Sequence, residues 1–274
     1  MNARPSLEAL ARLAITAGAE IMAVRAAGFE AMTKGDGSIV TIADQRAEAI
    51  IERGLAALAP RIPMLGEEAA AAGRIPDTSD RYFCVDPLDG TRGFAKGGDE
   101  FTVNIGLIEH GAAIMGVVLS PTDGALYAGE PGRALRARVS LDADAPIAFE
   151  PIAAGGKQGD GWRIVASRTF GRTHEAKAFA AALGACSQDD ASSSIKFCRV
   201  AEGAADLYPR FGDMNEWDSA AGHAILNAAG GGVMRLSGTP LIYGERTDGF
   251  LIRGLVAYAS EAAANAAREA LRKM

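Results

Sequence analysis

Aromatic residues are scarce, 6% of the 274 positions, and cysteines number three. Cys84, Cys186 and Cys198 are scattered, odd in number and without a CxxC spacing. That argues against a disulfide framework and a thiolate zinc site; the reading is buried free thiols in a reducing cytosol. His110, His174 and His223 lack helical ligand spacing such as HExxH. Positive charge is in deficit: 28 Lys and Arg face 34 Asp and Glu, for a net charge of -6 and a pI of about 5.2. The global basic footprint of a nucleic-acid binder is absent, as is a basic amphipathic membrane stretch. No apolar run reaches the ~18 residues of a membrane span. The N-terminal MNARPSLEALARLAITAG has no compact apolar stretch followed by a cleavage site. The expectation is a cytoplasmic protein, with peripheral inner-membrane association left open. It is read as a monomer or homodimer, without a choice between them.

What is present is a chain long enough for one large domain or two packed ones. It is 49% hydrophobic and 23% charged, so its core needs neither disulfide nor structural metal. An anionic substrate would have to be attracted by something other than bulk charge, and a metal cluster would do this. Periodicity predicts a helix over 6–27, with Leu7, Leu10, Ala14, Ala17 and Ile21 on one stripe. KGDGS (34–38) breaks the chain. Thr41 and Asp44 fit a capping box that opens a helix to about Leu58. Residues 69–80 read as a surface loop. Tyr82 to Val85 read as a buried strand, interrupted by DPLDGT. Strands at 101–109, 112–119 and 125–130 form a meander. Residues 140–161 are the best connection between an N-terminal half, 1–139, and a C-terminal half, 140–274. The second half alternates: strand 162–167, helices 173–184 and 193–203, strand 205–208, helix 218–229 closed by glycines 230–232, strand 254–259, helix 260–272. This is an α+β or α/β layered pattern. Neither GDG (35–37) nor GGG (230–232) follows a strand and opens a helix, so no dinucleotide loop is read.

Four segments supply hard oxygen ligands: Asp44 in TIAD, Glu67-Glu68 in LGEE, Asp86 and Asp89 in VDPLDGT, and Asp218 in EWDSAAG. Magnesium is held by a few carboxylates together with waters and phosphate oxygens. An apolar strand delivers Asp86, Pro87 cannot continue a ladder, and the chain turns so that Asp86 and Asp89 converge, with the Leu88 carbonyl between them. Gly90 allows close approach of backbone to ligand, and Gly90 and Thr91 then offer N–H groups to an anion. Taken singly, Asp218 reads as a helix N-cap, Glu67-Glu68 as a solvated acidic pair and Asp44 as part of its capping box. The combination tips the balance.

LGEE, DPLDGT and WDSAAG, in this order and spacing, resemble the inositol monophosphatase superfamily of lithium-sensitive, magnesium-dependent phosphatases. The resemblance covers nearly the whole chain. SSSIKFCRVAEGAADLYPRFGDMNEWDSAAGHAIL (192–226), KGDGSIVTIAD and DEFTVNIGLI are similar to its 3'(2'),5'-bisphosphate nucleotidase branch. The resemblance implies a layered αβαβα sandwich of the inositol monophosphatase and fructose-1,6-bisphosphatase type. It implies two or three Mg2+ ions on Glu67, Asp86, the Leu88 carbonyl, Asp89 and Asp218. Asp44, Thr91 and Glu67 are then catalytic. Substrate contacts fall on Leu88, Asp89, Gly90, Thr91, Ser192, Lys196 and Asp218. The implied partner is a small phosphate ester, adenosine 3',5'-bisphosphate above others. An inositol-phosphate or sugar-bisphosphate phosphatase is the alternative, and a catalytically silent metal- and anion-binding protein the reading from another class. Two departures stand out: GEE where the branch usually has SEE, and SRTF where it usually has SRSH, so that Phe170 replaces a histidine that contacts nucleotide.

Overall fold

The structure is a computed structural model that describes the chain apart from residues 1–3, 36, 79, 156–158, 160, 168–172, 185 and 246–247. Phe170 lies outside the described residues. Ser6 caps α1 (Leu7–Ala27) by accepting from the Ala9 N–H. A small hairpin follows, β1 (Ala31–Thr33) with β2 (Ile39–Thr41). The expected capping box at Thr41 and Asp44 opens α2 (Ile42–Leu58). Next come β3 (Met64–Gly66), the short α3 (Glu67–Ala71), β4 (Arg81–Asp89), the one-turn α4 (Thr91–Phe94), β5 (Thr102–Glu109), β6 (Ala112–Ser120), β7 (Ala125–Glu130), β8 (Arg133–Arg138) and β9 (Glu150–Pro151). β3 to β9 form a seven-stranded sheet in chain order. β5 and β6 join through His110 and Gly111, both at positive φ (50° and 76°), the conformation that suits a two-residue hairpin turn.

The second half supplies β10 (Trp162–Ala166), α5 (His174–Leu183), β11 (Cys186–Asp190), α6 (Ile195–Ala201), β12 (Leu207–Arg210), β13 (Met214–Asn215), a 3-10 turn (Glu216–Asp218), α7 (Ala220–Ala228), β14 (Gly232–Arg235), β15 (Leu251–Ile252), β16 (Leu255–Tyr258) and α8 (Glu261–Lys273). A five-stranded sheet runs β11-β10-β12-β16-β14, and β13 pairs with β15.

Side-chain alternation decides the layers. Phe83, Val85, Val103, Ile105 and Val117 face α1 and α2, whereas Tyr82, Cys84 and Val118 face α7. In the second sheet Val165, Tyr208 and Ala257 face α6 and α7, and Ile164, Leu207 and Val256 face α5 and α8. The order is helix pair, sheet, helix pair, sheet, helix pair: the expected αβαβα sandwich. A row of glycines lets α7 approach the first sheet. Gly106, Gly116 and Gly129 are cross-strand neighbours on β5, β6 and β7. A Cβ at Gly116 would stand 2.2 Å from the Ala221 carbonyl oxygen, and one at Gly129 2.6 Å from the Ile225 Cα.

Four expectations change. DPLDGT does not interrupt its strand: β4 continues to Asp89 through a bulge, since Asp86 pairs with Asn104 but Asp89 with Thr102. Residues 69–80 are not all loop, because α3 runs to Ala71. The 140–161 connection contains β9, which pairs with β8. Gly232 begins β14 rather than merely closing α7.

Candidate active site

The bulge in β4 re-aims the chain. Asp86 is buried and its Oδ1 accepts the Leu88 N–H at 2.9 Å. Gly90 has φ 102°, and a Cβ there would meet Ser193 Oγ at 2.7 Å and the Glu100 carbonyl at 3.0 Å. Both backbone and space therefore demand glycine. Thr91 Oγ1 lies 2.9 Å from Asp44 Oδ1 and 2.9 Å from the Leu88 carbonyl oxygen. The other Asp44 oxygen accepts the Thr41 N–H and hydroxyl at 2.8 and 2.7 Å. Asp44 is thus a helix cap and a partner of Thr91 at once.

β3 runs parallel to β4 with Gly66 beside Val85, so Glu67 enters next to Asp86. Lys34, on the β1–β2 turn, donates to Glu67 Oε1 at 2.9 Å and Glu68 Oε1 at 2.7 Å. Glu48 of α2 accepts the N–H groups of Glu68 and Ala69. From the other half, Asp218 sits in the 3-10 turn, where its Oδ2 accepts the Asn215 N–H at 3.0 Å. Ser194 ties the halves together. It accepts from Asn104 Nδ2 at 2.9 Å, donates to the Asp218 carbonyl at 2.7 Å and lies 3.2 Å from Asp89 Oδ2. Ser193 Oγ donates to the Asp89 carbonyl at 2.9 Å. Lys196 is 4% exposed, donates to the Ser193 carbonyl at 2.6 Å and stands 5.3 Å from the Tyr208 ring centre. Ser192 lines a cavity of about 750 Å³ that also touches Glu100, Phe101, Ile195 and Arg199. Glu67 and Lys34 line a second cavity of about 470 Å³ with Trp217 and Phe250.

The electrostatics carry one message. Burial first, then the charges of Glu67, Asp89 and Asp218, push the Asp86 carboxyl well above its ordinary value. Burial and then Asp89 push Asp218 up to about 8, against the Asn215 N–H. Burial raises Glu67 to about 7, with Lys34 opposing and Glu68 and Asp44 adding. Asp89 is raised by burial although Lys196, Ser194 and Arg210 oppose. Burial lowers Lys196 to about 8 despite Asp89, and Arg210 adds to the lowering. Burial would also lower Lys34, but Glu67 and Glu68 together hold it above the usual ammonium range.

Four carboxylates that repel one another in a buried place make an all-oxygen donor set, the kind a hard divalent cation takes. Among the described residues no group of three or more His, Cys, Asp or Glu side chains already forms a metal cage. The hydrogen bonds explain this: Lys34 draws Glu67, Asn215 holds Asp218, and Leu88 holds Asp86. The Coulombic coupling, which is felt over longer range than ligation, still groups them. The residues fit a hard divalent cation as an unassembled set.

Glu48, Lys34, Asn104, Ser194 and Arg210 were not named from the sequence as site residues. Glu48 had a signal, being one helical turn after Asp44. Lys34 and Asn104 had none, because their partners lie 33 and 90 positions away.

A family model described as "Inositol monophosphatase family" matches residues 2–272. The chain belongs to this family. It is 39% identical over 244 residues to a 3'(2'),5'-bisphosphate nucleotidase CysQ of Escherichia coli (strain K12), covering 88% of this chain and 94% of that protein. It is 37% identical to the CysQ nucleotidase of Buchnera aphidicola over 77% of this chain and 76% of that one. Among solved structures, CysQ from Bacteroides thetaiotaomicron superposes with TM-score 0.74 at 33% identity, over 92% of this chain and 96% of that chain. An inositol monophosphatase from Anabaena superposes with TM-score 0.71 over 97% and 95%, and at 22% identity it speaks for the fold alone.

Proposed function

We propose that the chain is a magnesium-dependent 3'(2'),5'-bisphosphate nucleotidase that hydrolyses adenosine 3',5'-bisphosphate to AMP and inorganic phosphate. Water adds to the 3'-phosphorus and the 3'-oxygen leaves with a proton. Glu67, Asp86, the Leu88 carbonyl, Asp89 and Asp218 would hold two or three magnesium ions, which would supply Lewis-acid stabilisation of charge and lower the pKa of water. The remaining work belongs to side chains. Thr91 has one hydroxyl proton and two nearby acceptors, Asp44 Oδ1 and the Leu88 carbonyl. A carboxylate is the stronger acceptor, so the proton goes to Asp44. Thr91 then offers only lone pairs to the incoming water, which orients it and draws its proton towards the buried Asp44. Gly90, having no Cβ, lets Ser193 Oγ and the Glu100 carbonyl pack against the turn that carries Asp89 and Thr91. The reading draws its ligands from both halves of the chain, 1–139 and 140–274. It places the enzyme in the cytoplasm, in keeping with the buried free thiols of Cys84 and Cys198. No helix among the described residues is long and apolar enough to cross a membrane.

One observation carries the nucleotide preference: a buried cationic side chain, Lys196, set beside the acidic cluster with Arg210 as its charged neighbour. Lys196 is buried and Arg210 half-buried, and Asp89, Glu100 and Asp218 offset only part of the cost of the charged ammonium, so a further anion is favoured beside it. A second phosphate on the substrate is such an anion, and a flexible ammonium meets it as a point charge. The test compares kcat/KM for the bisphosphate and for inositol 1-phosphate, wild type against Lys196→Ala. A charged hydrogen bond lost is worth about 1.5–3 kcal/mol. The bisphosphate should therefore lose roughly 10- to 100-fold and inositol 1-phosphate little. Equal losses would leave a phosphatase without nucleotide preference.

A further inference from the structure

Gly66 is not where it is for conformational reasons. Its φ of -106° and ψ of 151° are ordinary extended values open to any residue. What it provides is room. A Cβ at this position would stand 2.7 Å from both Cδ and Oε2 of Glu48 and 3.1 Å from its Oε1. Glu48 is 3% exposed and belongs to α2, one turn beyond Asp44. Its Oε2 accepts the Glu68 N–H at 2.8 Å and its Oε1 the Ala69 N–H at 2.7 Å. These are first-turn N–H groups of α3, which have no partner within the helix. Gly66 itself, the cap residue, has no side chain with which to supply one. A carboxylate from a different helix does the capping instead, bidentate and from below. Glu67 is held between this brace and β3, whose register sets Gly66 beside Val85, the residue before Asp86.

We infer that Glu48 is a positioning residue, seated in the space left by the absent Cβ of Gly66, and that this pair fixes the turn that aims Glu67 at the metal cluster. Glu48 bonds to the backbone N–H groups of Glu68 and Ala69 and acts through the placement of Glu67, so the inference rests on the proposed reading of Glu67 as a ligand. It gives a physical meaning to the GEE in place of SEE noted in the sequence. Serine at 66 brings a Cβ and its own hydroxyl cap, and would push the carboxylate end of Glu48 out of this seat; glycine leaves the seat open.

The test is calorimetric titration of the purified enzyme with Mg2+, alongside thermal melts in chelator and kcat at saturating magnesium. Glu48→Gln keeps the volume but turns one acceptor into a donor facing an N–H. Substitutions of groups that orient a ligand weaken metal affinity by roughly 10- to 100-fold. A weakening of that order is expected for Glu48→Gln and for Gly66→Ser, with kcat at saturation largely kept. Because the two residues contend for one space, Glu48→Ala/Gly66→Ser should bind no worse than Glu48→Ala alone, a non-additivity that independent sites do not show. Glu67→Gln serves as the control on the premise. If Glu67→Gln weakens binding while Glu48→Gln and Gly66→Ser bind as wild type, the positioning role is overturned and the ligand reading survives. If the Glu48 variants lose only melting temperature, with unchanged affinity per folded molecule, Glu48 is a structural brace and the inference is likewise overturned. If Glu67→Gln itself leaves Mg2+ affinity intact, both fall together.

Discussion

A single hydroxyl proton decides much at Thr91. In the proposed mechanism, with Asp44 as carboxylate, the proton points away from the reaction and the lone pairs point towards it. Asp44→Asn disturbs this assignment. An amide has one acceptor atom and one donor atom, yet Asp44 accepts on both oxygens, from Thr41 on one and Thr91 on the other. Whichever way the amide is turned, one partner meets N–H with N–H or O–H. Turned with its oxygen on Thr41, it keeps the cap, and Asn caps a helix about as well as Asp. Thr91 then gives its proton to the Leu88 carbonyl. We expect kcat to fall by roughly 100-fold or more, the scale of general-base assistance, while the melting temperature hardly moves. Activity assays and melts on the same preparation check this; a lowered melting temperature at unchanged kcat would reduce Asp44 to a cap. The capping box was legible because its members are three residues apart. The Thr91 contact was legible only by resemblance, since 47 positions separate the partners and no local pattern encodes them.

At the level of elements, the glycine row controls how deeply α7 sits, and Asp218 lies two residues before that helix. Gly116 is the strictest of the three, because the backbone atom obstructing it is the nearest, at 2.2 Å, and cannot rotate away. Gly116→Ala must push α7 off the sheet, and overpacking of this kind costs about 1–3 kcal/mol. Expected are a lower melting temperature and a raised magnesium requirement, measured by melts and by metal titration of activity. Unchanged values for both would mean that the sheet, not α7, gives way. The same elements show where sequence patterns reach. The meander of β5 to β7 was readable from alternation and from the His110-Gly111 turn. β11 was not, because CSQDD has no apolar alternation: it is the sheet's edge strand and pairs on one side only. β14 was hidden because Gly232, its first residue, continues a run of glycines that reads as a helix stop. The extension of β4 through Pro87 was missed because a bulge tolerates the absent N–H that a regular ladder does not.

For the whole molecule, the proposed ligands come from distant stretches of chain that the layered fold brings near one another. Glu67 follows the first sheet's β3, Asp86 and Asp89 lie on its β4, and Asp218 follows the second half's β13. In the sequence they appear only as three separated acidic motifs, LGEE, VDPLDGT and EWDSAAG. Without a cation, the meeting opposes folding. Glu67, raised to about 7, and Asp218, raised to about 8, hold protons in the folded state that the unfolded chain has already released near its ordinary values of 4.5 and 3.8. Where the folded state binds more protons, stability falls as pH rises. The contribution is complete below about pH 4 and is lost progressively as pH climbs through 7 and 8. Asp86, displaced in the same direction, adds to the trend. Lys196, lowered to about 8, acts oppositely, but only above that value. On the proposed reading magnesium takes the place of the protons and removes the repulsion, and a ligand that binds only the folded state adds RT ln(1 + [L]/Kd) to stability. In chelator, the melting temperature should therefore decline between pH 5 and 8. In excess Mg2+ the decline should be much smaller, so that the stabilisation by magnesium grows with pH. Calcium offers a comparison, since it is larger and takes more ligands, and sodium at matched ionic strength controls for screening. A magnesium-induced shift that stays constant from pH 5 to 8, or that sodium reproduces, would show that the four carboxylates do not act as one metal site.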